Sequence, residues 1–169
     1  MELRVQLTKR ADGAAVLRCV RADGSATWQR QDGPRAHFFP FHDLTHFAVE
    51  TTLGFRRGFY GLIADGWEIT DTGGKGKRGR LPPEAVLVEH VVGLLDRERV
   101  GGAAPLSAAE LNAQLEQLAA SGRVDGARPF ADAELAAVRR LADALHGQWA
   151  ALPTGAALEL VFDATGSCT

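Results

Sequence analysis

The chain is short of cysteine, of net charge and of long apolar runs, and each shortage excludes something. Only two cysteines occur in 169 residues, Cys19 and Cys168. They lie far apart and match no zinc or redox spacing, so two reduced thiols are expected. A net charge of −2 and a pI near 6.2 exclude a protein that is basic overall. No stretch approaches the roughly 20 apolar residues that cross a bilayer. The opening MELRVQLTKR alternates charged and apolar residues where a secretory leader would carry an apolar block. The expected object is a soluble, cytoplasmic protein with no membrane partner.

What is present is an ordinary globular composition, 46% hydrophobic and 24% charged, which argues against wholesale disorder. A chain of this length buries roughly 70% of its unfolded surface, enough for a core without staples. No repeat and no linker divides it, so one domain over 1–169 is expected. The charge is uneven: 13 Lys/Arg against 9 Asp/Glu in residues 1–80, then 6 against 12 in residues 81–169. That asymmetry marks either a basic face or two halves that dock on each other.

The first thirty residues read as a three-stranded meander. Leu3, Val5 and Leu7 alternate with polar residues, the period of a half-buried strand. Asp12-Gly13 and Asp23-Gly24 punctuate it as tight turns with both residues at positive φ. From Pro40 the period changes: PFHDLTHFAVETTLGF is apolar nearly all round at helical spacing and predicts a buried helix ending at Gly54. A short helix or turn follows at GFYGLIADGW, and EITDTGGKGKRGRLPP fits no regular element. Residues 83–99 form a clearer helix. Ser107 and Glu110 write a capping box with Gly122 as the stop, and Asp132 reads as the cap of a last helix. ALELVF is a closing strand that returns to the N-terminal sheet. The fold class is α+β: a small antiparallel sheet against about four or five helices.

The chemistry concentrates in one helix. His42 and His46 lie four residues apart, one helical turn, and project toward a common point. Imidazoles so placed can ligate one divalent metal, possible zinc, at about 2.0–2.1 Å. At about 100° per residue, Asp43 and Glu50 fall on the same arc, opposite Phe41, Leu44 and Ala48. A metal site requires a third ligand. Glu50 is the first candidate by helical phase, His90 the second and His37 the third. On the 83–99 helix Glu89 lies about 100° from His90, so only one of the two can face inward. His146 reads as a surface position.

His42-Asp43-Leu44-Thr45-His46 resembles the zincin motif HExxH, with Asp43 where that motif places its general base. Asp43 is one methylene shorter than glutamate. HDxxH with a later glutamate also resembles the metal motif of ubiquinone-biosynthesis scaffold proteins, but the matching position here is Gly58. The longer segment HFFPFHDLTHFAVETTLGFRRGFYGLIADGW resembles small, uncharacterised bacterial proteins. These resemblances imply metal binding at most, and no particular reaction.

Two basic groups accompany the motif: Arg56 and Arg57, and the glycine-rich GGKGKRGR with Lys75 and Lys77. The latter lacks the Gly-Lys-Ser/Thr of a phosphate loop. It reads as a loop for an anionic substrate or an acidic partner, placed to cover a site. Phe38, Phe39, Phe41, Phe47, Phe55, Phe59, Tyr60 and Trp67 crowd one window with basic neighbours, a pattern that can stack on single-stranded nucleic acid. Core packing explains them better, and the acidic second half opposes nucleic-acid binding.

Three readings stay open at this point: a divalent-metal site, hydrolytic through Asp43; a non-catalytic binding or assembly module whose histidines form a structural polar network; and a metal-free acid–base site. The partner is then a small molecule or an acidic protein. The helix at 40–54 can bury against its own sheet or against a second copy of the chain.

Overall fold

The computed structural model describes residues 2–74, 78–102, 104–122, 124 and 128–163. Three strands open the chain, β1 (Glu2–Lys9), β2 (Ala15–Arg21) and β3 (Ala26–Arg30). The last strand, β4 (Ala157–Asp163), returns beside β1, giving an antiparallel sheet in the order β3-β2-β1-β4. Register follows the alternation: Val5 sits opposite Cys19 on one side and Leu160 on the other. Leu3, Val5, Leu7, Leu17 and Cys19 therefore share the buried face.

The two turns differ from the sequence expectation in one respect. Gly13 and Gly24 have φ of 76° and 85°, but no described non-glycine residue has positive φ. Each turn closes over three residues, with Arg10 N–H to Ala14 O and Arg21 N–H to Ser25 O at 2.9 and 2.8 Å. Asp12 and Asp23 instead accept the N–H groups of Ala14 and Ser25. The aspartates fix the turn by side-chain acceptance, and only the glycines take the left-handed conformation.

Among the described residues five helices follow: α1 (Phe39–Leu53), α2 (Phe59–Ala64), α3 (Pro83–Gly101), α4 (Ala108–Ala120) and α5 (Asp132–Ala151). Pro40 lies in the first turn of α1, where its missing N–H costs nothing, and Gly54 ends the helix with φ 71°. The Ser107–Glu110 capping box forms as expected. Asp132 is displaced from its expected role. Ala131 is the α5 cap residue, and the Asp132 carboxylate accepts Ala108 N–H at the start of α4, 2.7 Å away. Among its described residues, the stretch with no assigned element contains a 3₁₀ turn, Ile69–Asp71.

Two large apolar clusters hold these parts together, with a smaller one of Leu62, Trp67 and Ala85 beside them. One joins the inner face of the sheet to Leu44 and Phe47 of α1, Tyr60 and Ile63 of α2, and Leu145 and Trp149 of α5. The other joins Ala48 and Val49 of α1 to α3, α4 and the first half of α5. Helix α1 is thus a middle layer, between the sheet and the α3–α4 pair, and every residue from Asp43 to Glu50 is buried. Of the two placements open to this helix, the chain buries it against its own sheet. Any polar group on α1 must therefore find a partner inside the protein. No described helix is long and apolar enough to cross a membrane.

Candidate metal centre

The polar arc of α1 meets two neighbours, α2 on one side and α3 on the other. Glu50 sits at the α2 side, 1% exposed. Its carboxylate accepts Tyr60 N–H at 3.0 Å and Gly61 N–H at 3.1 Å. The α2 cap residue, Gly58, has no side chain to do this. Glu50 caps α2 from across the interface, satisfying N–H groups that the helix cannot satisfy itself. A Cβ on Gly58 would stand 2.5 Å from the Glu50 carboxyl carbon, so glycine is what lets the carboxylate approach. A Cβ on Gly61 would likewise strike Arg56 O at 2.0 Å.

Glu50 also fixes the next residue up the helix. Its Oε1 lies 3.3 Å from His46 Nδ1. A carboxylate only accepts, so Nδ1 carries the proton in that contact and Nε2 keeps its lone pair when the ring is neutral. His42 has the same arrangement with a different carboxylate: its Nδ1 is 2.7 Å from Asp96 Oδ2 on α3. Asp96 is held in turn by Thr45 Oγ1 at 3.3 Å and Arg99 at 3.4 Å. The Arg99 guanidinium lies over the Phe38 and Phe41 rings, 5.5 and 5.0 Å from their centroids. Each imidazole is thus oriented by a carboxylate at Nδ1, the support that metal-ligating histidines commonly have.

The two rings meet edge to face with centroids 4.8 Å apart. Glu89 of α3 completes the group: one donor atom from each of His42, His46 and Glu89 lies within 4.8 Å of the others. These three residues could hold a metal ion. His46 Nε2 is buried and makes no hydrogen bond, although Glu89 Oε1 stands 3.4 Å away. Burial opposes a charge on His46, yet the Glu50 and Glu89 carboxylates on either side push its pKa up to about 10. Burial likewise works against ionised Glu89, but His46 and His42 hold that carboxyl below the ordinary range. The carboxylates around His46 thus favour its protonated form.

These residues border a cavity of about 290 Å³ between the sheet, α1 and the 69–73 segment. Asp43 lies on its wall, 6% exposed, and accepts Gln31 Nε2. Burial pushes the Asp43 carboxyl up to about 6 against the opposing pull of His42, His46 and Gln31. Arg21 braces the far side by donating to Ile63 O at 2.7 Å and Trp67 O at 2.6 Å, where α2 ends.

The sequence expectations divide clearly. His42, His46 and Asp43 meet at one cavity. Glu50 does not join the ligand group; its oxygens face the α2 N–H groups and the opposite nitrogen of His46. His90 is half-buried in an adjoining groove with Gln114 and Gln117, which Glu89 also borders, and Glu89 is the member of that pair that reaches His46 of α1. His37 is exposed and packs on Gly13 of the first turn. His146 is not a surface residue: half-buried, it pairs through Nε2 with Phe41 O at 3.0 Å. Arg56 and Arg57 are exposed, and neither lines the cavity. Lys75, Lys77 and Cys168 lie outside the described residues.

Three contributors were missed: Glu89, Asp96 and Gln31. Glu89 and Asp96 are seven residues apart on α3, two turns along one face, and that spacing is a readable signal. Gln31 sits in a loop after β3, where no periodicity points to it. No family model, curated protein or solved structure matches this chain. Its chemistry therefore rests on the geometry of the site.

Proposed function

We propose that the protein binds a divalent metal through His42 Nε2, His46 Nε2 and the Glu89 carboxylate, and uses it to activate water. The observation that carries this reading is the buried His46 Nε2, which makes no hydrogen bond and stands 3.4 Å from Glu89 Oε1 beside His42. Two histidines and one carboxylate form a donor set that suits zinc or iron(II) and leaves a coordination position open. A bound ion would lower the pKa of a water in that position and make hydroxide available near neutral pH. Asp43, on the cavity wall, is the carboxyl placed to exchange a proton with that water. Asp96 and Glu50 hold the two rings. Arg56 and Arg57 stand away from the cavity and take no part in this reading.

The competing reading is a polar network with a charged His46 between Glu50 and Glu89, which the 3.4 Å contact to Glu89 favours. Metal content by mass spectrometry separates the two. The metal reading expects near one zinc or iron per tag-free chain, lost in both His42→Ala and Glu89→Ala. No metal in the wild type, even after incubation with divalent ions, selects the network.

A further inference from the structure

Two buried side-chain polar atoms among the described residues lack a hydrogen-bond partner, His46 Nε2 and Gln31 Oε1. Both residues line the same cavity. Gln31 is 5% exposed, and its backbone N–H is tied to Ala15 O at 2.9 Å, so the residue is anchored. Its amide nitrogen donates to the Asp43 carboxyl group. That bond fixes the amide plane and leaves Oε1 without a donor. Buried acceptors are rarely left so, because burial removes their water without replacement.

The cavity wall also has a charge pattern. Its ionisable residues are His42, His46, Asp43 and Glu89, and no described Lys or Arg lines it. Asp96 and Glu50 add two more carboxylates behind the rings. A bound dication offsets only part of that negative charge, so a second anion is repelled. The volume of about 290 Å³ lies at the small end of ligand cavities.

We infer that the cavity takes a small, uncharged molecule that presents an N–H or O–H donor to Gln31 Oε1 while an adjacent oxygen reaches the position held by His42, His46 and Glu89. Amides and vicinal alcohols share that chemistry. Gln31 is then the residue that selects the ligand, and free carboxylates and phosphates are excluded. The inference rests on the metal reading above.

Cobalt(II)-loaded protein tests it through its visible absorption, with three probes. Glycolamide offers an N–H beside its metal-binding oxygens and stays uncharged, N,N-dimethylglycolamide lacks the N–H, and inorganic phosphate is an anion. Relative to their chelation of free cobalt, the wild type is expected to prefer the N–H probe by roughly fivefold, about one hydrogen bond. Gln31→Met removes that preference while still binding cobalt, and phosphate leaves the spectrum unchanged. Equal preference in wild type and Gln31→Met overturns the role of Gln31. Phosphate binding as tight as glycolamide overturns the uncharged class. Failure of the wild type to bind cobalt overturns the metal reading and this inference with it, an outcome distinct from cobalt that binds without discriminating the probes.

Discussion

The two ends of the polar row on α1 solve the same problem differently. At the Glu50 end, the carboxylate receives Tyr60 N–H, Gly61 N–H and His46 Nδ1. At the cavity end, one turn away, His46 Nε2 and Gln31 Oε1 make no hydrogen bond, and His46 Nε2 has only the 3.4 Å contact to Glu89. Both ends are buried, so both bear the desolvation that makes an unpaired group costly. A network serving stability alone would be expected to close at both ends. Closure at one end and openness at the other is what a binding site built on a structural bracket looks like.

Breaking the closed end should have the largest effect. Glu50→Ala strands two backbone donors and one imidazole, and a loss of about 3–5 kcal/mol is expected, as for removing one partner of a buried ion pair. For a chain of this size that is a fall in Tm of about 10 °C or more, measurable by thermal unfolding. A fall of a degree or two would mean that α2 does not depend on this cap.

The open end should respond to metal and hardly at all to its absence. Glu89 is 44% exposed on its side chain, so Glu89→Ala is expected to leave the metal-free Tm within about 2 °C. Zinc at one hundred times its Kd should stabilise the wild type by about 2.7 kcal/mol, and the variant by far less. An equal zinc shift in both proteins would place the ion elsewhere.

Asp96→Asn sharpens the contrast within the site. The amide keeps the shape but loses the charge at His42 Nδ1, and metal affinity should fall about 10- to 100-fold, read by competition with a chelator. Unchanged affinity would reduce Asp96 to a packing residue. The smallest effect is expected at His90→Ala and His37→Ala, which should leave metal affinity unchanged and stability within about 0.5 kcal/mol. Loss of metal in either would reinstate a ligand that the fold places elsewhere.

The sheet was legible because its alternation is strict: Leu3, Val5 and Leu7 announce the buried face, and Leu158, Leu160 and Phe162 of β4 continue it. His42 and His46 were legible for the same reason, since one turn of helix brings them together wherever the helix packs. Glu50 has the right phase and a different task. Phase says which face a residue occupies, whereas the N–H groups that claim it arrive from a helix ten residues on. Choosing Glu89 over His90 depends on how α3 rotates against α1, a property of the whole apolar cluster. Asp132 was misplaced because its partner, Ala108 N–H, begins a different helix.

The most direct test of the centre is an anomalous difference map from crystals grown with zinc. A single strong peak about 2.0–2.1 Å from the Nε2 atoms of His42 and His46, with the Glu89 carboxylate drawn in, is the predicted result. A map with no peak there, and with His46 Nε2 hydrogen-bonded to Glu89, would show the cavity end to be closed like the other and would contradict the account.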